Sequence, residues 1–443
     1  MVDWSRLPDL GAVGLLTCAF ASVAKRGQTP QSAVWLLGWL MIVLHFLAYM
    51  FLNVDGAIGP AAAFIGISAL TWAGVLFTWA AVPYRKTLSS EWMVGIMLST
   101  NTLYIGAIIL EPNSVWLLTS AAILLGALPL ATALFAVRSV NSPQRWAVVS
   151  LYGALSVFLL MFQHRPGNGQ SLAINAVLCT AYLGCCVYFS HTYGRATAGA
   201  LITNIGFFAW ASVFVVGPLV NVYLPSLHFQ DEVWNLPKYL VAIGMILLLL
   251  EEQIEHNKYL ALHDELTGLP NRRLFLDRLA SALERARRMG TQTVLLLVDL
   301  DHFKTVNDTF GHHTGDRALE RVGAILSGRV RRSDTVARTG GDEFSIVLEE
   351  PTTREDAQSV ATALGQLLAE PLQAGEHMVS VGASIGLAVF PDDAATLEAL
   401  CIAADLRMYN EKYESRDAAE RGNRPDPPAQ SPRPQRPTLA ASE

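Results

Sequence analysis

Up to residue 250 the chain is a series of apolar stretches separated by short polar breaks. They fall near 9–24, 33–53, 57–82, 92–110, 115–137, 146–163, 172–190, 198–223 and 236–250. Most approach the ~20 residues that a helix needs to cross a bilayer. The pattern predicts an N-terminal all-α polytopic membrane domain over 1–250 with about nine spans, the first and last being the weakest. Beyond it the apolar runs shorten and alternate with helical patterns. Helices are predicted for Asn271–Gly290, Thr314–Val330, Thr353–Ala369 and Leu397–Tyr413. Strands are predicted for Thr291–Val298 and Met378–Phe390, and a hairpin for Thr335–Ala337 with Phe344–Leu348. Strands alternating with helices predict one α/β domain built around a sheet, over 264–416.

Two connecting segments complete the organisation. In the linker at 251–263, Leu247, Leu250, Ile254, Asn257 and Ala261 follow three-four spacing. That suits either a short parallel dimer seam or the end of a single amphipathic helix. Residues 417–443 are rich in Pro, Arg and Ala and predict a disordered tail.

Composition sharpens the membrane reading. The 443 residues are 52% hydrophobic and 16% charged, with mean hydropathy +0.33. That excludes an ordinary soluble protein. Lys25 with Arg26, Arg85 with Lys86, Arg138, Arg145 and Arg195 occupy alternate loops, while Asp55, Glu111, Asp231 and Glu232 occupy the others. Only His164-Arg165 departs from the alternation. The positive-inside rule then puts the N-terminus outside and the C-terminal region in the cytoplasm of a multi-pass inner-membrane protein. Ser22-Val23-Ala24 resembles a signal-peptide cleavage site, which would leave eight spans, but Asp3 and Asp9 outnumber Arg6 in the leader. His45 is a candidate intramembrane ligand, although an isolated histidine also fits simple packing. Cys18, Cys179, Cys185, Cys186 and Cys401 show no metal-site spacing and read as small apolar residues. The net charge of −6 says little about partners, and nothing points to nucleic acid.

The candidate chemistry centres on Arg338-Thr339-Gly340-Gly341-Asp342-Glu343-Phe344. Gly340 and Gly341 leave room for a backbone to approach a bulky anion. Asp342 and Glu343 add two hard oxygen ligands, suited to Mg²⁺ and hence to phosphate. The predicted strand before them ends in Asp299, and Lys304 follows in the next loop. Three carboxylates around Mg²⁺ would neutralise a triphosphate. Taken alone, Gly-Gly-Asp-Glu is equally an acidic turn, and Asp299 alone a strand cap.

Other segments decide between these readings. Asp264-Glu265-Leu266-Thr267-Gly268-Leu269-Pro270-Asn271-Arg272-Arg273, Asp299-Leu300-Asp301-His302-Phe303-Lys304-Thr305-Val306-Asn307-Asp308 and Gly311-His312 through Gly315-Asp316 lie at set distances. So do Ser384-Ile385-Gly386 and Asp405 through Lys412 to Arg416. Residues 260–416 thereby resemble the GGDEF family of diguanylate cyclases. The resemblance implies a palm-like sheet with helices, as in nucleotide cyclases and polymerases. It also implies condensation of two GTP into cyclic di-GMP with release of two pyrophosphates. Asp299, the Leu300 carbonyl, Asp342 and Glu343 would hold Mg²⁺ (or Mn²⁺), with Glu343 favoured as base beside Asp342. Asn307 and Asp316 would read guanine. His302, Phe303, Lys304, Lys412 and Arg416 would hold phosphates, and His312 would line the pocket. Arg331 and Asp334 would form an inhibitory site for product, though an ordinary charged turn fits them too. One subunit holds one GTP, so a homodimer is part of the implied mechanism.

Arg407, Glu411 and Ser415 depart from the family's pattern and would weaken the neighbouring Lys412 and Arg416 contacts. Two alternatives accompany the cyclase reading: a non-catalytic GTP or cyclic di-GMP receptor on the same fold, and a transporter gated by a nucleotide-binding domain.

Overall fold

A computed structural model describes the chain except for residues 28–29, 82–87, 132–142, 166, 194–196, 225, 227–230, 350–352 and 423–443. The chain divides into two compact units, Met1–Glu255 and His256–Glu443.

The first unit is helical. Its elements are α1 (Leu7–Gly27), α2 (Pro30–Tyr49), α3 (Ile58–Ala80), α4 (Leu88–Leu110), α5 (Val115–Ala131), α6 (Pro143–Phe162), α7 (Gly169–Thr192), α8 (Ala198–Tyr223) and the start of α9 (Asp231–Leu262). They match the nine apolar stretches one for one. Six are long and apolar enough to cross a membrane, the first and last among them. Among the described residues the other three contribute shorter apolar helices, Val94–Leu110, Val115–Ala131 and Val149–Phe162. The loop cations Arg85, Lys86, Arg138 and Arg195 lie outside the described residues.

The helices meet over an aromatic core. Trp35, Trp39, Phe77, Phe189, Phe207 and Trp210 are fully buried. Tyr182 stacks on Trp210 with ring centroids 3.9 Å apart and donates its hydroxyl to the Leu70 carbonyl at 2.9 Å. Such stacks add about 0.5–1.5 kcal/mol beyond area burial.

In the second unit, α10 (Arg272–Met289) is capped by Asn271 and stopped by Gly290, whose φ of 70° a side chain would strain. Then come β1 (Thr293–Asp301), α11 (Phe303–Phe310), α12 (His312–Arg329), β2 (Thr335–Arg338) and β3 (Glu343–Leu348). They are followed by α13 (Arg354–Ala369), β4 (Leu372–Ala374), β5 (His377–Val379), β6 (Gly382–Phe390) and α14 (Leu397–Gly422). The main sheet has order β2-β3-β1-β6 with all neighbours antiparallel, and β4-β5 form a separate hairpin.

Helices cover both faces of the sheet, which is why β1 reads as one continuous apolar run. Val294, Leu296, Val298 and Leu300 share a core with α12 and α13. Leu295 joins α10 and α14 on the other side, with Leu297 packed against that core. Strand alternation therefore sends Asp299 to the α14 side.

Three features differ from the sequence-based expectation. The strand expected over Met378–Phe390 is split, because β5 turns back on β4 before β6 begins. Residues 303–310 form a helix rather than a loop. The helix expected to end at Tyr413 continues through Gly422, so the first six residues of the expected tail are helical; residues 423–443 lie outside the described ones.

Arg407 and Glu411 acquire a role that their sequence positions did not reveal. Arg407 bonds both Asp393 oxygens and the Leu387 carbonyl, and Glu411 accepts the Ile385 N–H at 2.7 Å. They fasten α14 to β6 and its following turn. The Arg407 bonds hold the Asp393 carboxyl well below the usual carboxylate range; burial opposes this, and the Val389 N–H and Arg354 add to it. A depressed folded-state pKa stabilises above the ordinary value, near ~3.9, and that stability is lost as pH falls through and below it. Asp393→Asn should cost about 1–2 kcal/mol at pH 7, discounted because the arginines are half exposed. The difference from wild type should shrink toward pH 3, measured as the urea midpoint of the C-terminal unit.

Candidate active site

Strand β1 carries Asp299 to the centre of the sheet edge. Its Cα partners are Glu343 on β3 and Ser384 on β6. Directly opposed residues share a face, so Asp299 and Glu343 present like charges to the same side. Such a pair is unfavourable unless a cation offsets it. In this structure the ammonium of Lys412 on α14 bonds Asp299 Oδ1. Asp299 is only 8% exposed.

The hairpin between β2 and β3 is tight. The Glu343 carbonyl accepts the Thr339 N–H at 3.0 Å, and the Asp342 carbonyl accepts the Leu300 N–H at 3.2 Å. A Cβ on Gly340 would stand 2.7 Å from Glu343 Oε2, so the carboxylate folds back over that glycine. Gly341 has open space around it. A side chain at Gly340 would displace the Glu343 carboxylate, and Gly341 leaves an exposed approach to the backbone.

Among the described residues no three His, Cys, Asp or Glu side chains are close enough together to hold a metal ion as they stand. The donor set nevertheless suits a hard cation. Asp299 and Glu343 are paired across β1 and β3, Asp342 adjoins Glu343, and a cationic side chain already answers Asp299. The residues therefore fit a divalent ion.

Helix α11 begins just after β1, at His302, whose φ of 57° is unusual for a side-chain-bearing residue. The first amides of a helix have no acceptor within it, and they favour an anion. Lys304 is exposed on that first turn. Asn307 lies near the end of α11, its Oδ1 1.9 Å from where a Cβ on Gly315 would be. Asp316, exposed, follows Gly315 on α12, and His312 starts that helix. Asn307 therefore packs over Gly315, the residue before Asp316, across the bend at Gly311. Arg416 falls on α14, but its side chain lies outside the described residues.

Asp334 has a local structural role. It accepts the Arg331 N–H at 2.8 Å and the Glu349 N–H at 3.1 Å. One unassigned group also emerges. Arg338 donates to both Asp264 oxygens, at 3.0 and 3.2 Å, and to the Gly341 carbonyl at 2.7 and 3.1 Å. Asp264 also accepts the Thr267 N–H and hydroxyl. Burial pushes the Asp264 carboxyl up, but these bonds outweigh it and hold it below the ordinary value. The entry motif thus grips the glycine turn through Arg338. Asp264 and Arg338 each lie in a sequence motif, but nothing in their spacing indicates the pairing.

The C-terminal domain is similar to known proteins. Residues 261–418 match the family model described as "Diguanylate cyclase, GGDEF domain", so this C-terminal domain belongs to the GGDEF family. The chain is 45% identical over 160 residues to the bifunctional diguanylate cyclase/cyclic di-GMP phosphodiesterase MucR of Pseudomonas aeruginosa, covering 36% of this chain and 23% of MucR. It is 37% identical over 166 residues to the diguanylate cyclase TpbB of the same organism, covering 37% of this chain and 38% of TpbB. The chain thus spans between about a quarter and two fifths of the length of these relatives. A solved structure of the TpbB GGDEF domain is 38% identical and covers 34% of this chain and 89% of that one, with TM-score 0.34.

Proposed function

We propose that this chain is a membrane-bound diguanylate cyclase that joins two GTP into cyclic di-GMP. The observation that carries the proposal is Asp299 set opposite Glu343 beside the Gly340-Gly341 turn, with Asn307 and Asp316 at the adjoining helix bend. The relatives named as diguanylate cyclases support the same reading.

A bound divalent cation, Mg²⁺ or Mn²⁺, would supply charge neutralisation at the triphosphate and acidify the attacking hydroxyl. Asp299, Asp342, Glu343 and the Leu300 carbonyl would hold it. Glu343 takes the proton from the 3′-hydroxyl of one GTP. The freed oxygen bonds the α-phosphorus of the other, and the α–β bridging bond breaks to release pyrophosphate. The reciprocal attack closes the ring. The amides of His302 and Phe303, with Lys304, Lys412 and Arg416, hold phosphates, and His312 lines the pocket. Each domain holds one GTP, so two copies must face each other; exposed Ile254 and its seam on α9 suit such pairing.

Asp316 accepts from the guanine ring N–H and amino group. Inosine triphosphate lacks that amino group, so kcat/KM should fall about tenfold or more relative to GTP. Equal turnover of the two nucleotides would remove guanine reading from Asp316.

The membrane region regulates the dimer, with its N-terminus outside and the GGDEF domain in the cytoplasm. Product binding through Arg331 and Asp334 provides feedback. Arg331→Ala should raise the cyclic di-GMP concentration needed for half-inhibition at least tenfold with kcat unchanged, measured by product titration. Unaltered inhibition would assign this turn a structural role only.

A further inference from the structure

The membrane unit contains a cavity of about 580 Å³ between α2, α3, α4, α7, α8 and α9. The charged group in its lining is already spent. Lys238 donates to Asn235 at 2.6 Å, Asn235 donates to Asp9 at 2.8 Å, and the ammonium lies 4.6 Å over the Phe46 ring. No Asp or Glu lines the cavity. Recognition there does not turn on charge.

His45 is in a different position. It is 4% exposed and lines the cavity. Its Nδ1 stands 2.9 Å from the Gly66 carbonyl, and its ring packs against Tyr49 with centroids 4.3 Å apart. A carbonyl only accepts, so Nδ1 carries a proton. The charged side chains that act on the ring, Lys238 and Arg6, are both cations, so the ring is the neutral form and Nε2 is a bare acceptor. Among the described residues Nε2 makes no hydrogen bond, yet it is not sealed in as the indole nitrogens of Trp35, Trp39 and Trp210 are. It therefore opens on the cavity that His45 lines. A buried acceptor left without a donor costs about 1–3 kcal/mol. Asn175, half-buried in the same lining, also makes no hydrogen bond among the described residues.

We infer that this cavity is a sensory site for a neutral apolar molecule bearing a hydroxyl, which donates its proton to His45 Nε2. A hydroxyl is the uncharged group that donates to Nε2 and still accepts from an amide such as that of Asn175. Ile67, Leu70, Ile174 and Phe214 take the apolar body, and the volume falls in the range of small-molecule sites. Asn235 and Lys238 bring α9 into the same lining, and α9 runs unbroken from there to Leu262. Occupancy thus acts on the helix that enters the GGDEF domain. The regulatory half of this inference rests on the cyclase reading; the binding half does not.

The test uses the full chain in phosphatidylcholine nanodiscs, with empty nanodiscs to subtract partition into lipid. The probes are butylphenol and octanol. Their methyl ethers keep the oxygen and lose the donor proton, and octanoate is the charged control. At least one probe should bind saturably, and its ether should bind about fivefold more weakly or worse. Octanoate should bind more weakly than octanol, because Lys238 is occupied. His45→Phe keeps an aromatic ring against Tyr49 and should make alcohol and ether bind alike. Should that variant misfold, the ether comparison on the wild type still decides, and Asn175→Leu should weaken the alcohol about threefold. Ethers binding as well as alcohols, octanoate binding better than octanol, no saturable binding, or a co-purifying phospholipid that the probes fail to displace would each overturn the site. Cyclic di-GMP output is read in the same preparation, and a saturating probe should change its rate at least twofold. Binding with an unchanged rate would overturn the regulatory half. Binding without any cyclic di-GMP would condemn the cyclase reading and spare the cavity. Cyclic di-GMP without binding would do the reverse.

Discussion

Glu343→Gln is expected to lower the rate of cyclic di-GMP formation by more than a thousandfold, about 4 kcal/mol of transition-state stabilisation. Gln has nearly the same shape but neither accepts the proton nor supplies an anionic oxygen. The fold should survive, because Glu343 is exposed at the first position of β3 and its backbone closes the hairpin unaided. Removing one of two opposed carboxylates should even raise metal-free stability by roughly 0.2–1 kcal/mol. Single-turnover kinetics and a urea titration of the same preparation separate the two effects. An inactive variant that is also unfolded would move Glu343 from chemistry to structure.

Gly386→Ala is expected to be the most damaging conservative change in the C-terminal unit. A Cβ there would lie 2.0 Å from the Ala404 carbonyl oxygen and 2.5 Å from the Met408 nitrogen, both backbone atoms of α14. No side-chain rotation relieves that contact. The helix would have to lift from β6, at about 3 kcal/mol or more. Lys412 rides on the same helix and bonds Asp299, so activity should fall alongside stability. Urea denaturation read with GTP turnover should show both losses. A variant as stable as wild type would mean that α14 and β6 pack less closely than described.

The C-terminal half of this architecture was legible because its candidate chemistry lies in contiguous motifs. Asp299 ends a run whose alternating side chains fill cores on both sheet faces, and Asp342 and Glu343 follow two glycines in a hairpin whose flanking strands were plain. Short elements escaped: α11 has eight residues, and β4 and β5 have three each. Contacts between distant positions escaped for a different reason. Arg338 with Asp264, Arg407 with Asp393, and Lys238 with Asp9 through Asn235 depend on how elements pack, which periodicity does not encode. Arg407 stood out only as a departure from the family's pattern, and the contacts of α14 turn it into a fastening. His45 is an isolated polar residue in an apolar run, and only the packing of α2, α8 and α9 brings it to the same cavity as Lys238 and Trp210.

The most direct measurement incubates the full chain in nanodiscs with GTP and Mg²⁺ and follows pyrophosphate and nucleotide products by mass spectrometry, with Glu343→Gln in parallel. Cyclic di-GMP and two pyrophosphates per product from the wild type, with none from the variant, are the predicted result. GTP bound by a dimer of the wild type and returned unchanged would contradict the cyclase and leave a nucleotide receptor in its place.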